Sequence, residues 1–450
     1  MTSAADQTGA VNIVQNALSR YHEHIRAVAR VVTAARGGDL AIPLEPLEVF
    51  EEFTDVTDIG LSQVGENMFL FDLMRNPGAR TTKTMASLLM VSRAVSHIRR
   101  TGERILVFTP TSGNKGTALR DAIARAYECG LVTPEQLRMV MLVPESSRVK
   151  LRDCALTWEG ALHSVNPVAM VNVDQPADVK QLSAKVVAAQ AAEIMDTTGF
   201  RVWYTLDLDN YRIADAARAF VEAELLPVTE DSPPRFHAHA VSSAFGLLGY
   251  HLGFEALATG LPGLSVPANH PGFFLVQQLA TPDMVTSLLG TKVPDYEYDS
   301  AAGLWRQGAA LEFPAVTDAP EETIDATFYT KSPATSAQVN AIVGRYGGGG
   351  VVVSKRECLD RFDRVRAVAS NAGIEIGADP ASIREWSLIK VLTGVLVARE
   401  RGLIAADTDV VVHGSGCYDD SSLPPMRDEH ITRVSTLAEL AALVRDTASA

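Results

Sequence analysis

Lys83 and the segment Thr111-Ser112-Gly113-Asn114-Lys115-Gly116-Thr117 are the residues whose types and spacing could do chemistry. Lys83 sits in a small polar run, Asn76-Pro77-Gly78-Ala79-Arg80-Thr81-Thr82-Lys83-Thr84, that leads into Met85-Ala86-Ser87-Leu88-Leu89-Met90. A loop lysine is more often a solvated surface charge, but this one enters an apolar helix. Desolvation beside another cation keeps part of an amine neutral, and a neutral amine can form an imine with an aldehyde. The second segment lies between a strand-like run, Ile105-Leu106-Val107-Phe108, and a helix-like one, Ala118 to Tyr127. Strand, polar glycine turn and helix together aim N–H groups and hydroxyls at an anion. An aldehyde carrying an anionic group answers both features, and pyridoxal phosphate is such a cofactor.

Other chemistries fit less well. The turn at Ser112 is not a nucleotide-binding P-loop, because its lysine precedes the second glycine. Gly347 to Gly350 has no Gly-Lys-Ser/Thr after it and reads as a turn before a strand, and no dinucleotide fingerprint occurs. The cysteines, Cys129, Cys154, Cys358 and Cys417, form no paired motif, so they support neither a zinc site nor a disulfide framework, and no metal is expected. His413-Gly414-Ser415-Gly416 ends an apolar strand, where ligands collect in open parallel sheets, although an ordinary tight turn reads equally well.

The positioning elements follow from periodicity. With 450 residues, 47% of them apolar, the chain is long enough for two or three domains. Helices are expected at Val11 to Arg36, Thr84 to Arg99, Val179 to Thr198, Tyr211 to Leu226, Leu247 to Thr259, Ser336 to Tyr346, Lys355 to Asn371 and Ser382 to Arg401. Strands are expected at 68–71, 105–108, 139–143, 202–204, 239–241, 351–353 and 410–412, with a connector over 40–65. This alternation predicts an α/β protein with mainly parallel sheets flanked by helices. Residues 290–335 lack periodicity and read as an insertion or lid. A net charge of −14 argues against nucleic acid or an anionic membrane as partner. No run is long enough to span a bilayer and the start has no signal-peptide pattern, so a cytoplasmic location is expected.

In order, these pieces resemble the fold type II pyridoxal phosphate enzymes, the tryptophan synthase β-like superfamily, and look most like threonine synthases. The run ending at Lys83 is similar to N-P-T-G-S-F-K-D, whose lysine carries the cofactor, with one extra residue and Thr84 for the aspartate. Thr111 to Gly116 resembles S-S-G-N-T-G. By that likeness Asn114 contacts the cofactor 3-hydroxyl, Thr111, Ser112 and Gly113 hold the substrate carboxylate, and Lys115 replaces a small residue. Asp209-Asn210-Tyr211-Arg212-Ile213 resembles N-P-Y-R-I/L, which makes Arg212 a candidate for an anionic substrate group, ahead of Lys115 and Arg80. Ser242-Ser243-Ala244-Phe245-Gly246-Leu247 takes the place of the phosphate cradle, with one glycine instead of several. Asp379-Pro380-Ala381-Ser382 is similar to E-P-A-S. His413 to Asp419 resembles T-G-H-G-L-K-D, leaving open whether His413 or Ser415 faces the pyridine nitrogen.

The resemblance spans roughly residues 60–425. It implies a helical extension over 1–60, a larger cofactor domain from 61–90 and 200–450, and a smaller mobile domain over 91–199. It further implies pyridoxal 5'-phosphate as cofactor, a small amino-acid substrate and a homodimer. The expected activity is elimination or replacement at Cβ or Cγ of an amino acid bearing a leaving group, through a Lys83 Schiff base. The departures at Thr84, Lys115 and the cradle point to a relative diverged toward specialised biosynthesis. Two alternatives stand: a dehydratase, deaminase or racemase of the same fold, and an inactive binding or regulatory protein.

Overall fold

A computed structural model describes residues 11–37, 40–46, 51–205, 208–325 and 331–450. Two principal sheets carry the architecture. The larger has seven strands, in the order Asn12–Val14, Ile59–Gly65, Met68–Asp72, Asp409–Gly414, Arg235–Ala240, Gly272–Gln278 and Gly348–Val353. From Met68–Asp72 onward the neighbours run parallel, while the first two strands are antiparallel additions. The smaller sheet is parallel throughout, in the order Ile431–Val434, Val168–Val171, Leu137–Pro144, Arg104–Pro110 and Phe200–Tyr204. The fold is therefore α/β with mostly parallel sheets flanked by helices. Buried on both faces, the central strands read as continuous apolar runs such as Val410-Val411-Val412.

Two helices deserve their burial. Lys83–Thr101 is buried from Thr84 to Ile98, and its apolar residues join the core that spans both sheets. Ser387–Glu400 is buried from Leu388 to Ala398 against the larger sheet. Each Leu, Ile or Val enclosed this way contributes roughly 1.5–3 kcal/mol, so the N-termini of both helices are held firmly. Lys83 begins the first of them, and Glu385 just precedes the second.

Several elements differ from expectation. The helix read over Val11 to Arg36 is the strand Asn12–Val14 followed by helices Ala17–Arg20 and His22–Arg36. Asn16, at φ 43°, breaks the run and caps the first helix with its side chain. The connector over 40–65 contains the strand Ile59–Gly65, paired with Met68–Asp72 as a hairpin. Gly348 to Gly350 lie inside a strand, where a Cβ on Gly348 would stand 1.9 Å from the Phe273 carbonyl oxygen. Of the segment 290–335, read as an insertion or lid, 326–330 lie outside the described residues; the rest includes the short antiparallel strands Glu297–Asp299, Leu304–Arg306 and Val316–Thr317, and Asp325 reaches the buried interior. The strand Ile431–Val434 and helix Leu437–Ser449, which carried no motif, complete the smaller sheet.

Candidate active site

The carboxyl ends of strands from both sheets open onto one cavity of about 250 Å³, the position at which open parallel sheets bind ligands. Loops after Ala240, Gly414, Pro110 and Tyr204 line it, together with the start of the Lys83 helix.

The loop before Lys83 is strapped to the loop after Gly414. Thr82 N–H donates to the Ser415 carbonyl at 2.9 Å, and Thr81 bridges Gly416. Lys83 Nζ lies 5.1 Å from the centre of the Tyr211 ring, and no hydrogen bond or ion pair joins it among the described residues. Burial draws its pKa below the ordinary lysine value; Asp215 opposes that shift and Arg218 reinforces it. An amine so placed is available as a nucleophile or base.

Ser242 to Leu247 all line the cavity. Ala244 adopts a left-handed conformation at φ 53° and the helix Phe245–Ala258 starts with no side-chain cap. Its first backbone bond runs from Leu248 N–H to the Ala244 carbonyl, so the N–H groups of residues 245–247 are those that a helix start leaves for a ligand. Gly246 permits close approach to Arg218, whose Nη1 would stand 2.6 Å from a Cβ there.

In the loop after Pro110, Thr111 turns its hydroxyl back to accept from Gly113 N–H at 3.1 Å and Gly116 N–H at 3.2 Å. Gly113 has φ 115° and packs on Lys150, whose Cβ would lie 2.8 Å from an added Cβ. Asn114 begins the helix Asn114–Glu128, donates to Glu385 Oε2 at 2.5 Å and accepts from Tyr418 at 2.7 Å. Lys115 Nζ donates to Thr205 Oγ1 at 3.3 Å. Burial, then Lys180 and Lys83, pull it down to about 7.

Behind this face runs a buried polar relay. Arg218 donates to Asp215 at 2.6 Å, to Thr82 at 2.6 Å and to His413 Nδ1 at 3.2 Å. Because a guanidinium can only donate, His413 carries its proton on Nε2, 2.8 Å from His237 Nδ1. His237 Nε2 stands 3.3 Å from Glu222 Oε1, near enough for charge but outside hydrogen-bond geometry. Burial holds His413 well below the ordinary histidine value, helped by His239, His237 and Arg218, so the ring is neutral and both its nitrogens are engaged. His239 stacks on His413 with centroids 3.9 Å apart, and its buried Nε2 has no hydrogen-bond partner among the described residues.

Beneath Asn114 lies an ionic cluster. Glu385 meets Lys150 at 2.7 Å, and Asp325 meets Lys390 at 3.1 Å and Lys150 at 3.6 Å. Among the described residues Lys83, Lys115, Lys180, Arg218 and Lys390 line the cavity together with Glu385; Arg218 and Lys390 are paired with Asp215 and Asp325, and burial draws Lys83, Lys115 and Lys180 below the ordinary lysine value. Buried amines of this kind take up a proton when an anion binds beside them.

Of the residues singled out by sequence, Lys83, Thr111, Ser112, Asn114, Lys115, Ser242 to Leu247, His413 and Ser415 come together here. Arg212, Arg80 and Gly113 are not among the lining residues. Arg212 pairs with Asp209 at 3.1 Å, one turn back on its own helix, and Arg80 reaches toward the Cys417 carbonyl at 3.5 Å. Sequence reasoning missed Lys180, Arg218, His239, Glu385 and Lys390. Signals existed for two of them: His237 and His239 alternate in an apolar strand, and Lys390 interrupts an apolar helix.

The sequence profile of the "Family of unknown function (DUF6002)" matches residues 13–448. The chain belongs to that family. No curated protein sequence matches it. Among solved structures, it is similar to the pyridoxal phosphate-bound threonine synthase of Brucella melitensis, with 15% identity and a TM-score of 0.56 over 96% of this chain and 91% of that one. The Escherichia coli threonine synthase gives 13% identity and a TM-score of 0.54 over 93% and 87%. The yeast enzyme gives 12% and 0.53 over 96% and 89%. At these identities the likeness establishes the fold, which is that of the fold type II pyridoxal phosphate enzymes.

Proposed function

We propose that the chain is a pyridoxal phosphate-dependent enzyme that eliminates or replaces an anionic leaving group at Cβ or Cγ of a small amino acid. The observation carrying this reading is Lys83: a desolvated amine with no ion-paired carboxylate among the described residues, opening on the same cavity as the bare helix start at Phe245. The donor set fits the cofactor. Lys83 supplies the amine for its aldehyde, and Ser242, Ser243 and the N–H groups before Leu247 suit a phosphate. The orphaned Nε2 of His239 marks a lining that accepts a further polar partner.

When bound, pyridoxal phosphate supplies the aldehyde that takes the substrate amine and the ring that spreads negative charge away from Cα. Lys83 Nζ would hold the cofactor and then take the proton from the substrate Cα. Asn114, kept in place by Glu385 and Tyr418, would orient the ring edge. With both His413 nitrogens occupied, Ser415 would be the partner offered to the ring nitrogen, where a neutral hydroxyl would leave that nitrogen unprotonated. Lys115 and Lys180, rather than Arg212, would hold the distal anionic group as it leaves, since they line the cavity and Arg212 does not.

Cofactor uptake followed by a screen of amino acids with and without β- or γ-O-phosphate or O-acyl substituents tests this reading. The expected result is release of the anionic group, with Lys115→Met and Lys180→Met each raising KM for such substrates about tenfold, the effect of losing one charge-assisted contact. Equal conversion of plain serine or threonine to 2-oxo acids would support a dehydratase instead. Protein that takes up no cofactor would support a binding role, and efficient formation of threonine from O-phosphohomoserine would remove the case for a diverged substrate.

A further inference from the structure

A second cluster of ligating side chains lies on the outer part of the helix Phe245–Ala258, away from the cavity. His251 and Glu255, four residues apart on that helix, share one face, and His270 joins them from the segment entering the strand Gly272–Gln278. The ligating atoms of all three lie within 4.8 Å of one another. His251 Nδ1 is 3.1 Å from His270 Nε2, and that nitrogen is 3.8 Å from Glu255 Oε1. Nitrogens bound tetrahedrally at roughly 2.0–2.1 Å from zinc stand about 3.3 Å apart, close to the spacing of the two imidazole nitrogens, and the half-exposed Glu255 carboxylate has the remaining reach to make up.

The tautomer and surroundings are those of a ligand. His270 Nδ1 faces the Pro271 carbonyl at 2.7 Å. A carbonyl only accepts, so Nδ1 carries the proton and Nε2 presents its lone pair to the cluster, the outer hydrogen bond that orients metal-bound imidazoles. The Tyr346 ring stacks flat on His270, 3.4 Å away at 7°, and its hydroxyl donates to Glu255 Oε1 at 3.4 Å. Glu255 keeps half its side chain exposed, which leaves the remaining coordination position to water. Arg345 and Arg212 are the cations near His251. Their charge disfavours an ion held by electrostatics alone, such as magnesium or calcium, and leaves one that bonds imidazole nitrogen.

We propose that His251, Glu255 and His270 form a binding site for a divalent transition cation of the zinc class. The ion ties the helix whose N-terminus borders the cavity to the strand Gly272–Gln278 and, through Tyr346, to the helix Ser336–Tyr346.

The test uses the full chain, tag removed and free of cofactor, titrated with Zn²⁺ by calorimetry and with Co²⁺ by visible absorption. The expected result is one equivalent bound with tetrahedral cobalt bands, and affinity lowered at least tenfold in His251→Gln and in His270→Gln. Glu255→Gln alters an exposed side chain, so it keeps the fold if the histidine variants do not; it should weaken binding about tenfold and remove the metal-induced rise in unfolding temperature. Absence of saturable binding, or binding unchanged in Glu255→Gln and His251→Gln, would overturn the site. In that case His251 simply donates to the His270 lone pair. Neither readout depends on cofactor or turnover.

Discussion

Replacing Lys115 with methionine should make the protein more stable while removing part of its affinity for anions. Burial beside Lys180 and Lys83 pulls the Lys115 amine from 10.5 in the open chain to about 7. Between those values the unfolded chain binds the proton more tightly than the folded one, so folding loses stability as pH falls from 10.5 toward 7. At 1.36 kcal/mol per unit, the cost at pH 7 is about 4 kcal/mol at most, and about 2 kcal/mol once cavity water screens the charge. It vanishes above pH ~10.5, where both states are neutral. Methionine has similar length and no charge, and Thr205 keeps its hydrogen bond to Thr109 at 2.7 Å. Urea unfolding of both proteins from pH 7 to 10 is the assay. Lys115→Met should exceed the parent by 2–4 kcal/mol at pH 7, the margin shrinking steadily as pH rises. A variant less stable than the parent at pH 7, or a margin independent of pH, would refute the reasoning.

The relay and the loops give further expectations. Burial opposes ionisation of Glu222, but His237, Arg235 and Tyr250 outweigh it and hold the carboxyl at about 2, against 4.5 in the open chain. Glu222→Gln should therefore lose about 3 kcal/mol at pH 7. That loss is present in full above pH ~4.5 and fades as pH falls toward 2, which chemical unfolding at pH 7 and pH 3 will show. Gly113→Ala, which forces a side chain into φ 115° and against Lys150, should cost roughly 1–3 kcal/mol by the same measurement. His413→Phe removes the acceptor for Arg218 Nη1 and the donor to His237, so about 1–3 kcal/mol of stability should go with two unmet buried groups.

Motif order carried the fold because local chemistry and global position coincide in this chain. Lys83 and the Thr111 turn stand at helix starts after parallel strands, and period and punctuation both survive there. The helix read across Val11 to Arg36 failed because a single left-handed residue, Asn16, divides an otherwise helical pattern. The Gly347 to Gly350 turn failed because glycines that look flexible are required by close strand packing at Phe273. In the site, Lys83, Asn114 and the Ser242 loop were legible from contiguous motifs. Arg218 and Glu385 were not, since each works through partners far along the chain: His413 for the first, Lys150 and Asn114 for the second. Arg212 drew attention by its motif, but its side chain pairs with Asp209 while Lys180, without a motif, lines the cavity.

Two desolvated amines share the cavity, Lys83 and Lys115, and the covalent role proposed above falls to Lys83 alone. The direct test is borohydride reduction of the protein loaded with pyridoxal phosphate, followed by peptide mapping. The expected result is a single phosphopyridoxyl adduct on Lys83, absent from Lys83→Ala along with the visible absorbance of the loaded protein. An adduct on Lys115 or Lys180, or no adduct on folded protein, would contradict it.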